Sequence, residues 1–328
     1  MRILNILFLC CFFSITASAT SNYEYENNRI DTTKYSDDIV RFKVDTIDLF
    51  ANYVKAESSN KKQDSTIALI IAGSGPTNAD GNSPYFKSYT YKYIAEELGR
   101  NGISSVRYDK RGIGRSIKSA PKESDLRFEM YVNDANTIIN ALHDKGYKKI
   151  IIIGHSEGSL IGMLVASQNK FVTKFISIAG PGYSADLVLK TQLKDQGDEV
   201  FKIAEPMIDS LKAGFNLSNV PSFLKSVFRR SIQGYMMSWF KYDPQLEIKK
   251  VTVPILILQG TKDLQVRVLD AQTLYLANMK ATLKIIENMN HALRIVESEE
   301  KSENFKAYNN PRLPVSEELL KSIVEFAK

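Results

Sequence analysis

From Ile67 onward the chain repeats one pattern: a short unbroken apolar run, a glycine-rich turn, then a longer stretch with apolar residues at helical spacing. Unbroken apolar runs bounded by turn residues suit strands buried on both faces. Helical stretches between them supply the crossovers of a parallel sheet. The pattern predicts strands over Ile67 to Ala72, Ser104 to Tyr108, Ile150 to Ile153, Phe175 to Ala179, Ile255 to Gln259 and Leu283 to Ile286. Helices are predicted near Tyr91 to Asn101, Met130 to Lys145, Ser159 to Gln168, Leu269 to Met279 and Glu317 to Ala327. Upstream, Ser21 to Asp38 is a polar lead-in. Arg41 to Ala56 then partly alternates, with Phe42, Val44, Ile47 and Leu49 apolar, which predicts one or two antiparallel edge strands before a polar loop at Glu57 to Ser65.

The alternation lapses between Gly182 and Leu246, where helical spacing continues without a strand for far longer than an ordinary connection. This predicts an α/β fold, a mostly parallel sheet flanked by helices, interrupted by a helical cap. The core would occupy residues 20–181 and 247–328, and the cap 182–246. Phe215, Phe223, Phe228, Tyr235, Met236, Met237, Trp239 and Phe240 make that insertion too apolar for a solvated loop. Most of them are expected to pack it onto the core, while a cover over the carboxyl edge of the sheet would also wall a pocket.

At 328 residues the length suits one large domain with an insertion. Arg2, the apolar stretch Ile3 to Ile15 and then Ala17-Ser18-Ala19 resemble a signal peptide over residues 1–19, cleaved before Thr20. The stretch is short for a bilayer-spanning helix. An exported, periplasmic or extracellular protein is therefore expected, with no stable membrane insertion after cleavage. An uncleaved anchor, or a lipid on Cys10 or Cys11, is the alternative. Both cysteines lie in this segment, so the mature chain would have no disulfide, thiol nucleophile or cysteine metal site. Lys and Arg total 43 against 37 Asp and Glu, but the signs are interspersed, which describes a solvated surface and not a nucleic-acid partner. Lys148 and Lys149 simply lead into a strand.

The candidate chemistry centres on Gly154-His155-Ser156-Glu157-Gly158, a GxSxG motif lying directly between a predicted strand and a predicted helix. A serine on so tight a turn projects its hydroxyl above the sheet, and the flanking glycines let strand and helix approach. The hydroxyl needs a base to become nucleophilic. Of three histidines, His155 adjoins the serine and should point elsewhere, and His143 lies within a surface helix that precedes it. His291, after the last predicted strand, is the candidate base. Asp263 follows the strand Ile255 to Gln259 and is the candidate acid that would orient His291. Asp270 and Glu287 are weaker alternatives, and Asp209 and Asp243 weaker still. Oxyanion donors are expected from the amide of Glu157 and from the loop Gly73-Ser74-Gly75-Pro76, with Ser74 ahead of Gly75.

With the run Gly154 to Gly158, the segments Tyr108 to Ser116 (YDKRGIGRS) and Pro254 to Val266 resemble the α/β-hydrolase superfamily, in particular bacterial serine esterases close to the serine aminopeptidase group. The opening Gly73 to Asn82, GSGPTNADGN, is similar to the esterase-D-type branch. Ala72-Gly73 stands where commoner lipases carry a His-Gly pair, which leaves the second donor open. The resemblance implies hydrolysis of a small-molecule carboxylic ester through an acyl-enzyme on Ser156, without metal or organic cofactor, and casts Asp109 and Arg111 as organisers of their turn. Aminopeptidase or amidase activity is the alternative, with Asp195, Asp198, Glu199, Glu205 and Asp209 available to bind an ammonium. An acyltransferase would use the same triad.

Overall fold

The computed structural model of the chain describes residues 37–56, 65–298 and 300–328. The signal-peptide segment, Cys10 and Cys11 lie outside them, as do most of the lead-in and nearly all of the polar loop at 57–65.

The apolar runs form one sheet. In chain order its strands are β1 (Asp38–Val44), β2 (Ile47–Val54), β3 (Thr66–Ile71), β4 (Ser104–Tyr108), β5 (Lys149–His155), β6 (Val172–Ile178), β7 (Ile255–Gly260) and β8 (Thr282–Ile286). Their spatial order is β1-β2-β4-β3-β5-β6-β7-β8. β1 pairs antiparallel with β2, and β2 antiparallel with β4, while every other neighbour is parallel. Val44 faces Ile47 across the β1–β2 turn, and Asp45 takes a positive φ of 51° there, which a two-residue hairpin turn requires.

The unbroken apolar runs have a two-sided explanation. Ile67, Leu69 and Ile71 of β3, with Ile150 and Ile152 of β5, join the core on one face. Ala68, Ile70, Ile151 and Ile153 join the core on the other. The side chains still alternate with period two, but both faces are dry.

The helices are α1 (Thr90–Arg100), α2 (Phe128–Asp144), α3 (Glu157–Gln168), α4 (Ala185–Lys194), α5 (Asp198–Lys212), α6 (Lys225–Phe228), α7 (Arg230–Trp239), α8 (Pro244–Lys250), α9 (Val268–Ala277), α10 (Lys301–Tyr308) and α11 (Glu317–Ala327). α1 and α11 cover one face through Ile94, Leu98, Leu319 and Ile323. α2, α3 and the helices between β6 and β7 build the other core. Those inserted helices run from α4 to α8, so the helical stretch continues past residue 246 to Lys250. α8 begins with Asp243 accepting from the amide of Gln245 and with Pro244 in its first turn.

Candidate active site

The site sits at the carboxyl ends of β3, β5 and β7, where loops from a parallel sheet converge. β5 runs straight into α3 through Ser156, whose backbone is forced to φ 54° and ψ −123°. That conformation is costly for a residue with a side chain and persists only where its surroundings impose it. Here the Ser156 amide donates to the carbonyl of Ile178 at the end of β6, at 2.9 Å. The glycines on either side serve close approach: a Cβ on Gly154 would lie 2.3 Å from the Gly158 oxygen, and one on Gly158 2.3 Å from the Ile71 oxygen. α3 can therefore press onto the sheet, and Ser156 is left at its tip.

His291 and Asp263 meet. His291 Nδ1 lies 2.7 Å from Asp263 Oδ2, with both side chains buried. Asp263 also accepts from the amides of Gln265 at 2.8 Å and Val266 at 2.9 Å, and from Gln259 Nε2 at 3.1 Å. A carboxylate held by so many donors fixes the imidazole with Nδ1 protonated, leaving Nε2 as the proton acceptor. The two loops are laced together upstream. The Lys262 amide donates to Met289 O at 3.0 Å, and the Asn288 amide donates to Thr261 Oγ1 at 2.8 Å.

The weaker candidates lie elsewhere. Asp270 accepts from the amides of Gly182 and Arg267 and so caps α9. Glu287 takes the Thr261 hydroxyl. Asp209 pairs with Lys190, and Asp243 caps α8. His143 stacks on Phe171 on α2. Asp109 accepts from the amides of Ala79 and Arg115 and from the Arg115 side chain, while Arg111 clasps Asp134.

Ser74 and Glu157 flank Ser156. Gly73 packs against the serine, and a Cβ on Gly73 would meet Ser156 Cβ at 3.1 Å. Glu157 opens α3, so its amide belongs to the first turn, where no intrahelical acceptor exists. Ser74, Ser156 and Glu157 line a cavity of about 30 Å³, walled also by Leu160, Ala185, Val188 and Trp239 among others. Of the aromatic and methionine residues singled out in the insertion, only Trp239 reaches this cavity. Phe228, Tyr235, Met236 and Phe240 are core, and Phe215 and Phe223 are exposed.

Four functional neighbours escape sequence reasoning. His155 does point away from the cavity, yet it is buried and joins two loops. Its Nε2 donates to the carbonyl of His291 at 3.0 Å, and its Nδ1 accepts from the Tyr91 hydroxyl at 2.8 Å. Tyr91 in turn accepts from the Gly73 amide at 3.0 Å. Burial, and after it the charge of His291, lower the His155 pKa to about 3, so it stays neutral. Gln259 braces Asp263, as above. Lys110, just past β4, is buried and donates to the Gly73 carbonyl at 2.6 Å and to Glu157 Oε1 at 3.2 Å. Its place after a strand at the sheet's carboxyl edge was a signal available in the sequence.

Among the described residues, no cluster of three or more His, Cys, Asp or Glu is placed to hold a metal ion, and no helix is long and apolar enough to cross a membrane.

Comparison with known proteins agrees with this fold. A family model described as serine aminopeptidase, S33, matches residues 87–220. The chain is 25% identical over 243 residues to the esterase EstD of Thermotoga maritima, an alignment covering 69% of this chain and 54% of that protein. The chain thus spans about half the length of that curated relative. Among solved structures, Est1E from Butyrivibrio proteoclasticus superposes with a TM-score of 0.56 at 16% identity, covering 89% of this chain and 96% of that one. The Pyrococcus furiosus esterase Pf2001 gives 0.54 at 15%, covering 89% and 92%. A proline iminopeptidase of Mycobacterium smegmatis gives 0.56 at 15%, covering 89% and 100%. The chain has the α/β-hydrolase fold, a mostly parallel sheet flanked by helices. In sequence it is similar to the esterase EstD and, over residues 87–220, to the serine aminopeptidase family.

Proposed function

We propose that the chain is a serine hydrolase cleaving carboxylic esters through an acyl-enzyme on Ser156. One observation carries this reading: a serine strained at the β5–α3 turn shares the sheet edge with a His291–Asp263 pair bonded at 2.7 Å. Ser156 Oγ attacks the acyl carbon as His291 Nε2 takes its proton. The tetrahedral oxyanion is met by the amides of Glu157 and Ser74. His291 returns the proton to the leaving alkoxide, and water, deprotonated by the same imidazole, releases the acid.

The ester reading is favoured over an aminopeptidase by where the carboxylates lie. None of Asp195, Asp198, Glu199, Glu205 and Asp209 lines the cavity. Asp195 is paired with Arg267, and Glu205 and Asp209 with Lys190. Glu157 does line it, but its carboxylate is taken by Lys110 and Tyr235. In the same reading, the helices between β6 and β7 act as the cap, and the N-terminal apolar stretch exports the enzyme.

Hydrolysis of p-nitrophenyl esters from acetate to palmitate, measured beside Ser156→Ala, tests the proposal. Turnover should fall on the order of 10³-fold or more in the variant. Folded wild-type protein that hydrolyses none of these esters would overturn the ester assignment.

A further inference from the structure

Lys110 is an uncommon residue to find where it is. Its side chain is almost fully buried, and so is that of Glu157, its charge partner. Its ammonium lies over the Tyr131 ring, 5.0 Å from the centroid. Burying a charge pair stabilises little in net terms, because desolvation consumes most of the attraction. Stability alone is therefore a poor account of this pair, and what the ammonium touches suggests another. Its shortest contact, 2.6 Å, is to a backbone oxygen, the carbonyl of Gly73.

That carbonyl belongs to the peptide linking Gly73 to Ser74. The described chain has no cis peptide, so the Ser74 N–H points opposite to the Gly73 C=O. Holding the carbonyl toward Lys110 therefore turns the Ser74 amide the other way. Gly73 packs against Ser156, a Cβ there lying 3.1 Å from Ser156 Cβ, so the peptide whose carbonyl Lys110 holds adjoins the nucleophile. Without that anchor glycine has the freedom to let the peptide rotate, and a rotated peptide would offer the oxyanion a carbonyl in place of a donor. The same ammonium holds the side chain of Glu157, whose own amide is the second donor, and Tyr235 from α7 fixes the other carboxylate oxygen at 3.0 Å.

We propose, on the serine-hydrolase reading above, that Lys110 is a positioning residue of the oxyanion site: by gripping Gly73 O and Glu157 it sets the two amides that receive the oxyanion. Lys110 touches no substrate. Its effect is on the transition state, which alone carries the negative oxygen.

The test uses the full chain as wild type, Lys110→Met, and the double variant Lys110→Met with Glu157→Gln. In the double variant no buried charge is left without its partner. Thermal melting verifies folding in each. For p-nitrophenyl acetate, kcat should fall about 10²–10³-fold in both variants, the loss typical of one oxyanion donor, with KM within about threefold of wild type. Affinity for an alkyl trifluoromethyl ketone, which adds to serine as a tetrahedral adduct, should fall in parallel. If Lys110 only neutralises Glu157, the double variant regains wild-type kcat, and that result overturns the proposal. A loss carried by KM overturns it as well. An inactive wild type that a fluorophosphonate fails to label overturns the hydrolase reading and this proposal with it, and the wild-type arm alone reveals that case.

Discussion

Ser156 and His155 are adjacent residues with opposite demands. Ser156 must be exposed to a cavity and accepts a strained backbone to get there. His155 must stay buried and neutral, because its two nitrogens have distinct partners: Nε2 donates to His291 O and Nδ1 accepts from Tyr91. Protonating Nδ1 would set two donors against each other. The pH consequence has a definite sign. The unfolded chain binds a proton at His155 near pH 6.5, whereas the folded chain does not until about pH 3. Within that window the unfolded state holds more protons, so stability from this group is complete above pH 6.5 and is lost as pH falls toward 3. At about 1.4 kcal/mol per pH unit, the loss grows to a few kcal/mol. Thermal unfolding from pH 7 to pH 4 should show Tm falling more steeply in wild type than in His155→Gln, whose amide offers both a donor and an acceptor but does not titrate here. Parallel curves would rule His155 out as the group responsible. The strained serine turn and the Asp263–His291 contact were legible in the sequence, since a GxSxG turn, an aspartate after a strand and a late histidine each carry a local signature. The roles of His155, Tyr91 and Gln259 were not, and of Lys110 only its place after a strand was. His155, Tyr91 and Lys110 work through partners distant along the chain, and single-sequence patterns do not encode that proximity; Gln259 reaches Asp263 four residues on, across a turn whose geometry no residue pattern announces.

Among the elements, β3, β5 and β7 were the most legible, because burial on both faces leaves a nearly unbroken apolar run that no amphipathic helix has. Ser104–Tyr108 matches the expected range, and the others differ only at their ends, as at Lys149–His155, where β5 extends through Gly154 and His155 toward the turn at Ser156. α10 went unpredicted because eight residues, mostly polar, give little periodicity to read. The join of β7 to the loop bearing His291 was also invisible, although it sets the site's geometry. A Cβ on Gly260 would sit 2.0 Å from the carbonyl oxygen of Met289, so only glycine lets the acid loop and the histidine loop lie this close. Gly260→Ala should therefore push the two loops apart. We expect destabilisation of about 1–3 kcal/mol, together with a fall in kcat larger than that of a surface substitution of equal thermal cost. Urea unfolding and steady-state kinetics on one preparation check both, and wild-type kcat in Gly260→Ala would show that the Asp263–His291 distance tolerates the shift.

Taken as a whole, the molecule spends most of the apolar content of its insertion on structure and little on the cavity. The Phe128 ring on α2 lies parallel to the Trp239 ring on α7, with centroids 5.8 Å apart, and Tyr235 packs against both, so α7 is joined to the α/β core by an aromatic cluster. Arg229, just before α7, clasps Glu123 in the segment leading to α2. Trp239 is the member of this cluster that also faces the cavity beside Ser156, which is partly open to solvent. Leu160, Val188 and Trp239 narrow the space beside Ser156, so in the p-nitrophenyl series wild type should prefer acetate or propionate. Trp239→Ala should move the optimum to longer chains while costing about 3–5 kcal/mol of stability, because a buried indole and its stacking are removed together. Val188→Ala, on the α4 wall, should move the optimum the same way by a smaller step and at lower cost. If neither variant alters the chain-length profile, the acyl group does not lie between α4 and α7, and the cavity would then hold the alcohol portion of the ester.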